Sequence, residues 1–192
     1  AVLFVVTIGI VFAVIGSHKK ENNPSVADNQ NNETTAEPTT EEETTTKVPT
    51  VEVDLMMIGD MLMHEGVVKS GLMDDGTYNF DHLYTNIAKD ISSADIKIVN
   101  QETILGGSDF AYTGYPTFNS PWALGDAEVK AGFNIILHAT NHTLDKGLKG
   151  VENCLSFWKT YHPDTTVLGI NETEEDYENI YVYEKEGFKI AF

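Results

Sequence analysis

The sequence predicts an α/β domain, a mainly parallel sheet flanked by helices, preceded by a hydrophobic helix and a disordered linker. Three observations carry this expectation. From residue 51 onward, short apolar runs alternate with stretches of helical spacing, and a β-α-β-α-β order builds a parallel sheet. Three of those runs end in a polar cluster. The first fifty residues, by contrast, divide into an uncharged apolar segment and a tract almost without apolar residues.

Residues 1–16, AVLFVVTIGIVFAVIG, carry no charge. As a helix they would extend roughly 24 Å, somewhat short of a hydrocarbon core of roughly 30 Å. Residues 1–17 are expected to form a single-pass membrane anchor or signal-anchor; a cleaved signal peptide is the alternative. Lys19 and Lys20 follow the apolar segment, which by the positive-inside rule favours a cytoplasmic domain. The Thr-rich composition of the next tract favours the outside. Residues 18–50 are dominated by Asn, Thr, Glu and Pro, with Val26 and Val48 nearly alone as large apolar groups. Such a tract buries too little surface to offset its ordering entropy, so a disordered acidic tether is expected.

Residues 51–192 are expected to form the folded domain. Residues 51–58 read as a strand that meets Gly59-Asp60. In residues 80–93, Phe80, Leu83, Ile87 and Ile91 recur at helical spacing. Residues 95–99 form a short strand ending at Asn100-Gln101-Glu102. Residues 122–131 form a helix opened by Pro121, with Ser120 as N-cap. Residues 133–138 form a third strand, followed by Ala139-Thr140-Asn141-His142. Residues 144–161 form a helix with Val151, Leu155 and Trp158 on one face. Residues 166–168 form a fourth strand, and residues 180–184 and 188–192 a hairpin around Glu186-Gly187. The absence of an initiator Met and the final strand running to Phe192 lead to the expectation of a fragment, with the sheet incomplete at the C-terminus.

Composition narrows the chemistry. All 12 basic residues are lysines against 30 acidic ones, a formal net charge of −18. A nucleic-acid partner is not expected, because that affinity comes from a basic face neutralising phosphates. Without arginine there is no bidentate clamp for carboxylate or phosphate. The lone Cys154 excludes an intrachain disulfide framework and a thiolate-rich zinc site.

The three polar clusters are Asp60 with His64, Asn100 with Glu102, and Asn141-His142 with Asp145. Each follows a predicted strand, and in open α/β sheets ligands bind outside the carboxyl ends of the strands. Right-handed crossovers put those ends on one edge, so the three clusters are expected to share a rim. Oxygen donors with imidazole suit a divalent ion such as Mn, Fe, Mg or Zn. Taken singly, Asp60 reads equally well as a helix N-cap, and Asn141 as a turn residue. His138 reads as a core or strand-end residue, and His82, His162 and His18 as surface.

The runs IGDMLMHEGV, IVNQETILGG and YPTFNSPWALGDAEVKAGFNIILHATNHTLDKG, with their Phe-Asn-x-Pro and Asn-His-x-x-Asp-x-Gly motifs, resemble the CapA/PgsA family of capsule and poly-γ-glutamate synthesis proteins. The resemblance spans residues 51–192. It implies a metallophosphoesterase-like α/β sandwich, anchored at the outer face of a bacterial cell membrane. It makes Asp60, Glu102 and Asn141 metal ligands and His142 the group that protonates a leaving group or orients phosphate. His64 stands as a further candidate ligand, and Asn100 and Asp145 as supporting residues. The phosphoesterase pattern has Asp-x-His at the first strand; here Leu62 holds the second position and His64 lies two residues further on.

The function this implies is that of a membrane-anchored capsule synthesis protein taking part in poly-γ-glutamate or capsular polymer biosynthesis or export, with a metallophosphoesterase-like site, and two readings of that site follow. One is a metal-dependent hydrolase of a phosphoester or of an amide in the polymer. The other is a catalytically inactive subunit of a membrane complex that makes or exports an anionic polymer, with other subunits as partners. A hydrolase unrelated to capsule is a third possibility.

Overall fold

The computed structural model describes residues 50–192. The hydrophobic helix expected over residues 1–17 and nearly all of the linker expected over residues 18–50 lie outside the described residues. Within them, no helix is long and apolar enough to cross a membrane.

The elements run β1 (Leu55–Asp60), α1 (Glu65–Ser70), a 3-10 turn (Asp81–Leu83), α2 (Ala88–Ser93), β2 (Ile96–Asn100), α3 (Trp122–Ala131), β3 (Ile135–Leu137), α4 (Gly147–Tyr161), β4 (Thr166–Leu168), α5 (Glu174–Glu178), β5 (Val182–Lys185) and β6 (Phe188–Ala191). Strands β1 to β4 form one parallel sheet in sequence order. With right-handed crossovers, an unreversed strand order keeps every connecting helix on the same face. The two cores agree with that. Val99 and Ile136, with Met56 and Ile58, pack beneath Val68, Ile91, Leu124, Cys154, Phe157 and Trp158 of the helices. On the opposite face Ile96, Ile98 and Ile135 lie under Tyr181, Tyr183, Ile190 and Phe192 of the antiparallel β5–β6 hairpin and its flanks. Strands β2 and β3 are therefore apolar on both faces, as buried parallel strands are. The hairpin does not reach across β1, whose Leu55 and Met57 remain exposed.

Helix α3 and strand β4 have the expected bounds; elsewhere they shift. Helix α4 begins at Gly147 rather than 144, after turns over residues 141–146, and Leu144 is exposed. The expected helix 80–93 divides into the 3-10 turn and α2. Its apolar residues still face the core, but Tyr84 to Ile87 form turns. Ser120 is not the N-cap of α3. Pro121 holds that position without a side-chain bond, and the Ser120 hydroxyl instead meets Thr103 Oγ1 at 2.7 Å. His162 is not a surface residue either: its ring packs on Phe157 and Trp158 and meets Asp126 at 2.7 Å. His138 is core, 1% exposed.

The sheet's carboxyl edge is drawn together by its own backbone. Asp60 pairs with Asn100 across a register irregularity after Ile58. Met61 N–H donates to Asn100 O at 2.8 Å, Gln101 N–H to Leu137 O at 2.9 Å and His138 N–H to Leu168 O at 2.7 Å. Each loop thus leaves its strand tied to the next one. Gly169, directly after β4, sits at φ +91 with a would-be Cβ only 2.4 Å from Ala139 N, so only glycine allows these two loops to approach so closely.

Candidate functional site

The last residue of β1 and the loop after it deliver Asp60 and His64, the last residue of β2 and its loop Asn100 and Glu102, and the loop after β3 His142 and Asp145. All but Asn141 of the residues singled out in the sequence are linked to this one rim by contacts. Asn100 Nδ2 donates to Asp60 Oδ1 at 2.6 Å. The Asp60 carboxylate is close enough to Glu102 to raise that residue's pKa. Burial of Glu102 is the larger cause, and His142 partly offsets both. Glu102 Oε1 lies 3.9 Å from His142 Nε2, with 13% of its side chain exposed against 16% for His142. His142 Nδ1 meets Asp145 Oδ2 at 2.8 Å. His64 is exposed and reaches the group through an aromatic contact, its ring 5.3 Å from that of Phe118. The Phe118 ring, 1% exposed, also lies 4.6 Å from the ring of His142. Asn141 is exposed, and its side chain makes no hydrogen bond to the cluster.

Buried hydroxyls and amides hold these loops. Thr140 Oγ1 donates to Glu102 O at 2.7 Å and accepts from His142 N–H at 3.1 Å, joining the β2 and β3 loops. Thr143 Oγ1 donates to His138 O. Thr103, fully buried, bonds Ser120 and reaches Met61 O at 3.3 Å, joining the β1 loop to the start of α3. Asn119 Oδ1 accepts from Gly106 N–H at 2.9 Å, and its Nδ2 donates to Gly107 O at 3.0 Å. Sequence reasoning assigned no role to Phe118, Asn119, Thr103 or Thr140. The Phe-Asn-x-Pro motif was the one available signal, because a polar residue between an aromatic and a helix start asks for a buried backbone partner.

The donor set is oxygen-rich: two neighbouring carboxylates, one amide bridging to Asp60, and Glu102 Oε2, a buried oxygen without a hydrogen-bond partner in the described residues. A divalent cation would offset both the repulsion and the orphaned oxygen. Among the described residues no three His, Cys, Asp or Glu side chains are arranged to hold an ion together. Asp60 and Glu102 are the two carboxylates on this rim that could hold such an ion. Mg and Mn accept such a set more readily than zinc does.

A parallel α/β sheet carrying carboxylates and histidine on its carboxyl rim defines a class of domain that several families share. Residues 54–192 match the family model described as bacterial capsule synthesis protein PGA_cap, and the chain belongs to that family. None of the curated proteins matches the chain.

Proposed function

We propose that this capsule synthesis protein is held at the membrane by residues 1–17 and acts there as a metal-dependent hydrolase on a phosphoester or amide bond of an anionic capsular polymer such as poly-γ-glutamate. The observation that supports this reading best is the gathering of Asp60, Asn100, Glu102 and His142 on one rim from three separate strand ends and the loops that follow them.

In this reading Asp60 and Glu102 would hold the divalent ion, with Asn141 and His64 as further candidate donors and Asn100 orienting Asp60. The ion, when bound, supplies Lewis acidity for activating water and polarising the bond under attack. A cation held by both carboxylates would offset the repulsion between Glu102 and Asp60. His142 presents Nε2 to the rim and moves a proton to or from the reacting group. Phe118 and the Thr140 network exclude water from one side and keep His142 at a fixed distance from Glu102.

The absence of a three-ligand group among the described residues favours a second reading, in which the rim is structural and the protein serves a polymer-synthesis complex as an inactive subunit. Calorimetric titration of the whole chain with Mn2+ and Mg2+, together with hydrolysis of a generic phosphodiester, separates the two. The hydrolase reading expects stoichiometric binding that Asp60→Ala weakens by at least about tenfold without changing the melting temperature. No binding by the wild-type chain would establish the subunit reading instead.

A further inference from the structure

We propose that Asp145 is a positioning residue that works through one oxygen, fixing His142 in a single tautomer and the Phe118 loop in a single place. Its Oδ2 lies 2.6 Å from Phe118 N and 2.8 Å from His142 Nδ1. A backbone N–H can only donate, so Oδ2 is an acceptor, and a carboxylate oxygen offers no hydrogen of its own. The hydrogen between Asp145 and His142 therefore belongs to Nδ1. In the neutral imidazole this leaves Nε2 bare, and Nε2 is the nitrogen that faces Glu102.

The same oxygen governs a second contact. By holding Phe118 N–H it seats the buried Phe118 ring against His142, and the same ring also contacts His64. The backbone of His142 is anchored independently, its N–H donating to Thr140 Oγ1. Main chain, ring rotation and tautomer are thus each set by a different bond, and two of the three pass through Asp145 Oδ2. Its work is geometric: an oxygen in that place is required, a negative charge is not. Asparagine retains such an oxygen, and alanine does not.

Long-range proton–nitrogen NMR spectra of the whole chain, labelled at histidine and recorded at a pH where imidazole is neutral, read this directly. His142→Gln identifies the resonance by its absence. The wild-type chain is expected to show a protonated Nδ1 and a bare Nε2. Asp145→Ala is expected to lose that preference and drift toward the Nε2–H form that free imidazole side chains favour, and Asp145→Asn to restore the wild-type pattern. A wild-type His142 protonated at Nε2, an unchanged tautomer in Asp145→Ala, or an Asp145→Asn chain that fails to restore it would each overturn the proposal. Should Asp145→Ala not fold, the wild-type and Asp145→Asn spectra still decide. A kinetic arm rests on the hydrolase reading: Asp145→Ala is expected to lower kcat by about 100-fold with KM little changed, and Asp145→Asn to recover most of it. A chain without hydrolytic activity would remove the hydrolase reading and leave the tautomer result standing.

Discussion

Glu128 is fully buried within α3, and neither of its oxygens has a hydrogen-bond partner among the described residues. Burial holds its carboxyl well above the usual range, with the nearby Tyr84 hydroxyl offsetting only part of that. His138 is the converse case. Burial pushes its imidazole down to about 3, and Trp158 Nε1 donates to its Nε2 at 3.0 Å, a place a protonated ring could not accept from. The signs of the two effects oppose. The unfolded chain releases the Glu128 proton near 4.5 while the folded chain keeps it, so Glu128 costs stability as pH rises above that value. The unfolded chain gains a proton on His138 near 6.5 while the folded chain does not, so stability from His138 is lost as pH falls from 6.5 toward 3. Glu128→Gln is expected to remove the first slope. Relative to wild type, it should gain about 1.4 kcal/mol per pH unit above that range, until the folded-state carboxyl itself ionises. Urea denaturation of both chains between about pH 5 and about pH 8 measures the difference; parallel curves would mean that Glu128 is already ionised in the folded chain.

The segment between β2 and α3 has no regular structure beyond a single bridge between Thr113 and Asn119, yet it walls the site. Asn119 organises it, since one fully buried amide meets Gly106, Gly107, Phe110 and Ala111 of the backbone. Asn119→Ala leaves the buried Gly106 N–H and Gly107 O without this partner, at about 1–3 kcal/mol each. A loss of about 3 kcal/mol or more in urea denaturation is expected, with the Phe118 ring freed from His142. A loss below about 1 kcal/mol would mean that the loop is held elsewhere. This loop also marks where the sequence stopped being legible. Strands β2 to β4 and helices α3 and α4 were readable because their apolar runs are continuous or helically spaced. Helix α1 was missed because Val67 and Val68 are too few to set a period. Helix α5 has no buried residue, and its only signal was the capping box between Thr173 and Asp176. The rim was readable because strand ends are: Asp60, Glu102 and His142 follow three recognisable strands. Phe118 and Thr140 were not, because their roles depend on which loops meet, and spacing along the chain does not encode that.

Charge belongs to the whole molecule. The chain carries a formal net charge of −18 and no arginine. Of its lysines, Lys69, Lys130, Lys149, Lys159, Lys185 and Lys189 are already paired with carboxylates. Among the described residues this leaves only Lys89, Lys97 and Lys146 without a carboxylate partner, so on the proposed reading an anionic polymer approaches against the domain's field and is held at the rim by the divalent ion. The salt dependence that follows has the opposite sign to that of a basic-patch binder, whose affinity falls as salt displaces its contacts. Raising NaCl from about 0.1 M to about 1 M shortens the screening length from about 10 Å to about 3 Å. That removes repulsion spread over the surface while largely sparing a contact made through an ion at the rim. Retention of the whole chain on immobilised poly-γ-glutamate in the presence of Mn2+ is therefore expected to rise with NaCl and to be abolished by a chelator at every salt concentration. Retention that falls with salt and survives chelation would point to the few remaining lysines as the binding groups and would remove the rim from polymer recognition.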